Sequence, residues 1–184
     1  MHSMNKKTSQ KIKKTAFLAT AVASLALVGC TTRFVDYTLL STKNVDLSKA
    51  SSFKRGPNRV TGEDSQIIIL FIPTSGTPNL KTAVDKAIES VPGAVALVDG
   101  VVSMRGWWFI VGESAIIAEG TPLIDPSLPG AKASLEADFL VSFHDPVSGK
   151  QVAKPVDKAT YQKIKNLANL HNDAALSKLL LGLL

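Results

Sequence analysis

Cysteine is nearly absent from this chain: among its 184 residues there is one, Cys30. No disulfide can close within the chain, and zinc sites built on pairs of cysteines are excluded. Histidine is also scarce. His2 precedes the cysteine, and His144 and His171 stand apart without HxxxH or HExxH spacing, so no metal site is expected, and no cofactor. There is no GxxxxGKS/T segment and no Gly-x-Ser-x-Gly elbow. Ser142, His144 and Asp145 have the residue types of a hydrolytic triad. Alternation along a strand turns Asp145 away from the face shared by Ser142 and His144, where it cannot orient the imidazole. Glu136 with Asp138, and Glu113 with Glu119, read as solvated carboxylates. The chain is therefore not read as an enzyme. It also lacks internal repeats and low-complexity tracts.

Acidic residues are missing from the whole N-terminal segment; the first is Asp36. Lys6, Lys7, Lys11, Lys13 and Lys14 lead into an uncharged stretch over 16–28, which ends at Leu27-Val28-Gly29-Cys30. The stretch is shorter than the roughly 20 apolar residues of a spanning helix. A basic block, an apolar core and a small-residue cleavage site have the layout of an export signal. A cysteine buried in an ordinary core helix would not follow a basic block on one side and end at Gly-Cys.

The segment resembles the lipobox of bacterial lipoproteins. That resemblance implies cleavage before Cys30, two or three acyl chains such as palmitate on that cysteine, and attachment of the mature chain to a membrane. Thr31 stands where an Asp would favour retention in the inner membrane. The implied location is thus the cell envelope, on the periplasmic face of the outer membrane. Ser41-Thr42-Lys43-Asn44-Val45 and Gly76-Thr77-Pro78-Asn79-Leu80 are similar to segments of small cell-envelope lipoproteins, a likeness that carries no activity with it.

Removal of residues 1–29 changes the charge balance. The full chain has 21 basic and 15 acidic residues, for a net +6. The part from Cys30 onward keeps 16 basic against 15 acidic. The high sequence pI therefore belongs to the leader, and a nucleic-acid partner is not expected. The remaining 155 residues suffice for one domain with a substantial core.

The expected fold class is α+β: a mixed sheet of about five strands with a packed helix and a C-terminal helix. Residues 1–29 form the signal, 30–122 the sheet core, and 123–184 an extension with a short hairpin and a terminal helix packed on the same domain. Alternation predicts a half-buried strand over 34–40, with Val35, Tyr37 and Leu39 on one face. Residues 48–65 read as a long polar loop around Gly56-Pro57-Asn58. The run Ile67-Ile68-Ile69-Leu70-Phe71-Ile72 predicts a strand buried on both faces. Leu80, Ala83, Val84, Ala87, Ile88 and Val91 fall on one face of a helix over 79–91, with Thr77 as N-cap, Pro78 as its first residue and Pro92-Gly93 as its stop.

Strand, helix and strand in succession predict a crossover between parallel neighbours. A three-strand meander over 94–121 is then predicted, with turns at Met104-Arg105-Gly106 and Gly112-Glu113-Ser114. Residues 131–138 read as extended or as a helical turn. A strand over 139–143 turns at 145–150, and one last helix starts at the Asp157 cap, with Tyr161, Ile164, Ala168, Ala175 and Leu179 along a stripe.

Two loops are candidate ligand sites. Ser75, Gly76 and Thr77, within the 74–78 loop, open a helix after a strand, where free N–H groups can hold an anion; an ordinary capped turn has the same pattern. Arg55 lies in the basic 49–59 loop. Trp107 and Trp108 are adjacent on a strand, so their rings take opposite faces: one beneath the helix, the other covered by a second layer or exposed to a sugar or a membrane interface. The tail over 176–184 is too short to span a bilayer and reads either as a helix end covering the sheet or as a docking surface for a partner or a second copy. The sequence thus points to a membrane-anchored protein with a non-catalytic binding or assembly role, or to one that binds a small or anionic ligand at the two loops.

Overall fold

The computed structural model describes residues 30–108, 110–146, 148–170 and 173–184. Residues 1–29, including Leu27, Val28 and Gly29, lie outside the described residues, as do Phe109, Val147, His171 and Asn172.

Strand β1 (Cys30–Leu40) is followed by a 3-10 turn (Leu47–Ser52), β2 (Lys54–Arg55), β3 (Val60–Ile69) and β4 (Ile72–Pro73). Helix α1 (Leu80–Glu89), the long strands β5 (Ala94–Trp108) and β6 (Val111–Ile124), and a short α2 (Ala131–Glu136) come next. The hairpin β7 (Phe139–His144) and β8 (Gln151–Val156) precedes α3 (Lys158–Asn169) and α4 (Asp173–Leu181). The large sheet has the order β1-β5-β6-β3-β4, with β2 beside β6, and β7-β8 form a second sheet. The fold is α+β.

Every pairing is antiparallel, so the large sheet is not mixed. Strands β3 and β5 do run parallel on either side of α1, but β6 lies between them and pairs with both. The crossover therefore spans a strand instead of joining neighbours.

The predicted meander is one long hairpin. Gly106 and Gly112 read locally as turns, yet both lie within strands, opposite Ser114 and Trp108. A side chain at Gly112 would approach the Trp108 ring to 2.7 Å, so the glycine clears space for the indole. The interruption at Asp99-Gly100 is a bulge, with Asp99 at φ 49. There Tyr37 lies across Gly100 and Gly120 and donates its hydroxyl proton to the Glu119 carbonyl at 2.8 Å. Burial pushes this phenol up to about 12.

Helix α1 buries Ala83, Val84, Ala87 and Ile88, as the periodicity predicts. It begins two residues later than Pro78 would set it: Asn79 is the cap, and its side chain accepts from the Lys81 N–H at 2.8 Å. The helix rests on a floor of small residues. Gly62 pairs with Ala118, and a Cβ on Gly62 would lie 2.1 Å from the Ala83 carbonyl oxygen and 2.4 Å from the Ala87 nitrogen. Val60, Leu97 and Ile124 complete the core around this contact.

The extension joins the same core through Ala131, Leu140 and Ala153. Asn58 holds β7 in place, donating to the Leu140 carbonyl at 2.8 Å and accepting from the Leu140 N–H at 2.6 Å. Asp157 caps α3 through the Thr160 N–H at 2.8 Å. The single terminal helix divides into α3 and α4, and neither contains a buried residue. Tyr161 of α3 stacks on Phe139 at 4.1 Å, and α4 lies against α3, so the tail is not a cover for the large sheet.

A Gly62→Val substitution drives a side chain into helix backbone and is expected to cost about 2–3 kcal/mol, measured as a fall in the thermal midpoint. Gly76→Ala, which meets nothing within 4 Å, is the neutral control. Equal tolerance of both would show that α1 is not seated on Gly62.

Candidate functional site

The predicted strand Ile67–Ile72 is the part of the chain that departs furthest from its sequence reading. It is not buried on both faces. The chain reverses within it, and Ile69 pairs with Ile72 across a two-residue turn. Leu70 and Phe71 make that turn at φ 49 and φ 70. Positive φ at both central positions is the geometry that Asn-Gly adopts readily and that Cβ-bearing residues resist. Two large apolar side chains are thus held at a strained turn and exposed there: Phe71 is 75 %, Ile72 69 % and Leu70 62 % exposed.

The tip of the β5-β6 hairpin lies against this turn. The Leu70 N–H donates to the Ile110 carbonyl at 2.9 Å. Phe71 and Trp108 bring their ring centroids to 4.1 Å, and Trp108 remains 43 % exposed. Ile67, Ile69, Ile110 and Val111 add further exposed apolar surface. There is no charged residue between Asp64 and Lys81, nor between Arg105 and Glu113. Both charge-free stretches converge on one end of the sheet. Trp107 takes the other face, where its indole N–H donates to Glu113 at 3.3 Å, and neither indole belongs to the core beneath α1.

Cys30 is at the same end. It begins β1 directly, is exposed, and pairs with Gly106, two positions before Trp108. At about 3.3 Å per residue, the thiol's own residue is roughly 7 Å along the strands from the tip tryptophan.

The candidate ligand residues are not brought together. Arg55 pairs with Leu123, whereas Gln66, beside the 74–78 loop, pairs with Ser114. Nine positions of β6 separate these points, or roughly 30 Å. The Arg55 guanidinium is engaged by Asp99 at 2.5 Å, with both side chains largely exposed. Ser75, Gly76 and Thr77 precede the helix instead of opening it. The Gln66 amide, with its nitrogen turned to the loop, donates to the Ser75 carbonyl at 3.2 Å and to the Gly76 carbonyl at 3.0 Å. The Asp64 carboxylate accepts from the Asn79 N–H at 2.9 Å. This loop presents carbonyl oxygens to its neighbour, and a carboxylate already stands at the helix entrance.

Other depressions lie elsewhere on the described residues. A cleft of about 610 Å³ follows the open edge of β3, between Glu63, Lys86, His144 and Gln151. Its polar groups serve the edge itself: Lys86 donates to the Glu63 carbonyl at 2.9 Å, and Gln151 donates to that of Thr61. A second depression of about 370 Å³ lies under the 3-10 turn between Leu39, Val45, Leu47, Phe53 and Leu123. Among the described residues there is no group of His, Cys, Asp and Glu placed to hold a metal. No described helix is long and apolar enough to cross a membrane.

Replacing Leu70-Phe71 by Asn-Gly relieves the turn, worth about 1–2 kcal/mol per residue. The lost Phe71–Trp108 contact offsets about 1 kcal/mol of that. The double variant is expected to melt about 3 °C or more above the parent; a lower midpoint would show that the turn is not strained. Comparison with protein-family models, with curated proteins and with solved structures finds no match for this chain.

Proposed function

We propose that the chain is a lipid-anchored protein of the cell envelope, whose domain from Cys30 onward has a non-catalytic binding or assembly role at a membrane surface. The sequence Leu27-Val28-Gly29-Cys30 carries this reading. Its placement supports it: Cys30 is exposed at the first position of β1, so a modified thiol meets no packing. No flexible spacer separates that residue from the sheet, so an anchor there holds the domain against the lipid. One acyl chain gives only marginal attachment and two or more a firm one. The periplasmic face of the outer membrane follows from Thr31 by the same resemblance.

Cys30→Ser is expected to leave an uncleaved precursor and to abolish incorporation of a fatty-acid probe. Normal processing of this variant would remove the reading.

The assembly role is assigned to the tail. Helices α3 and α4 bury no residue, and Leu181 and Leu184 are exposed. Attachment to one membrane raises the local concentration of copies and makes modest contacts effective. Deletion of residues 176–184 is expected to leave the circular dichroism of the sheet intact and to reduce chemical crosslinking to itself or to a partner. Unchanged crosslinking would assign the tail no partner.

A further inference from the structure

We infer that the paired tips of the β3-β4 and β5-β6 hairpins form a membrane-docking surface, in which Leu70, Phe71, Ile72, Trp108 and Ile110 enter the interfacial region of the bilayer that Cys30 approaches. The inference rests on the lipoprotein reading only for the identity of the anchor; the apolar tip and its alignment with Cys30 are features of the fold.

Four observations converge. First, the exposed Leu70, Phe71, Ile72, Trp108 and Ile110 are gathered at one end of the sheet, within two stretches of chain that contain no charged residue. A protein partner of ordinary kind would be met by an apolar centre with a polar rim. Here the apolar surface covers the protruding end itself, with an indole at its margin, as at lipid headgroups. Second, the turn keeps leucine and phenylalanine at φ 49 and φ 70, where Asn-Gly would be more stable. Those side chains therefore serve something other than the hairpin. Third, the backbone is suited to a poorly hydrated medium. Ile69 pairs with Ile72, and the Leu70 N–H is bonded to the Ile110 carbonyl, so the turn is tied into the neighbouring tip. Fourth, the pairing of Cys30 with Gly106 brings the modified end of the chain to the tip, not to the far end of strands fourteen and fifteen residues long.

The consequence is a two-point attachment. The anchor fixes one point and leaves the domain free to swing, while the tip fixes a second point and sets the strands upright on the surface. The near-neutral balance of the chain beyond Cys30 makes the second contact apolar instead of electrostatic, so it should resist salt.

The test uses the full chain, purified from its membranes and reconstituted in vesicles of phosphatidylethanolamine and phosphatidylcholine, the latter brominated on the acyl chain just below the headgroup. Trp107→Phe leaves Trp108 as the sole tryptophan. Its emission is expected to fall roughly twofold in brominated vesicles relative to unbrominated ones, with no change on raising the salt. The further replacement of Leu70-Phe71 by Asn-Gly, which spares the fold, should abolish most of that quenching. Incorporation of a fatty-acid probe at Cys30 is read on the same samples. Labelled protein without quenching overturns the docking surface and leaves the lipoprotein reading standing. Quenching without label supports the docking surface and overturns the lipoprotein reading. Quenching that survives the Asn-Gly replacement in full, or that is replaced by crosslinking between the tips of two copies, overturns the proposal.

Discussion

The close approach of α1 to the sheet at Gly62 is the contact on which the two-layer arrangement depends. The helix backbone occupies the space where a side chain on β3 would stand, and Ala118, Ala83 and Ala87 keep the rest of that floor low. Dispersion and burial both gain from such proximity, because no gap remains on either side. With the helix seated there, Val84 and Ile88 reach the core shared with Leu97 and Ile124. Lys86 comes within reach of the unpaired edge of β3, and Asp85 accepts from Thr42 and from Lys81 at 2.5 Å, which fastens the segment after β1 to the helix. The Lys81 ammonium and the Thr42 hydroxyl lower the Asp85 carboxyl to about 2. A helix of ten residues thus packs on β3, β5 and β6 of the large sheet and on β8 of the second.

The other face of the sheet follows a different rule. An antiparallel sheet need cover only one of its faces. On the strand positions that alternate away from α1, Arg105 bridges Glu63 at 2.5 Å and Glu113 at 3.2 Å across three adjacent strands, and Arg59 meets Glu119 at 2.9 Å. Arg105, Glu63 and Glu113 are half-buried, whereas the Arg59–Glu119 pair is more exposed and adds little stability. They place charge on that face, whereas the Leu70-Phe71 turn carries none.

Elements whose cause is local were legible in the sequence. The buried face of α1 follows from the spacing of Ala83, Val84, Ala87 and Ile88, the β7-β8 hairpin from its turn residues, and the start of α3 from Asp157. The sheet order was not, because the placement of β6 between β3 and β5 is decided by long-range pairing. Gly106 and Gly112 mimicked turns because their purpose, clearance along a strand and for an indole, depends on a partner distant in the chain or on a large neighbour. The candidate site was half legible. The Leu27-Val28-Gly29-Cys30 segment draws attention to Cys30, but Ile67–Ile72 has the same composition whether buried on both faces or carried past the end of its cover. Nor does Leu70-Phe71 carry any turn signal. Only the absence of charge on both sides of that run hinted at a shared environment.

The pairing of β1 with β5 has a consequence for the order of assembly. β5 and β6 close on themselves through a tight loop, but Leu40 must wait for Leu97 and Cys30 for Gly106. Closing the longer loops costs more chain entropy and slows the step. β1 is therefore expected to join the sheet after the β5-β6 hairpin has formed. Until β5 arrives, both its edges stay unpaired, a state in which strands join wrong partners. Arg33 and Asp36, joined at 2.6 Å in the finished sheet, place one charge of each sign on this waiting segment. Its protection before folding is thus written into the strand itself.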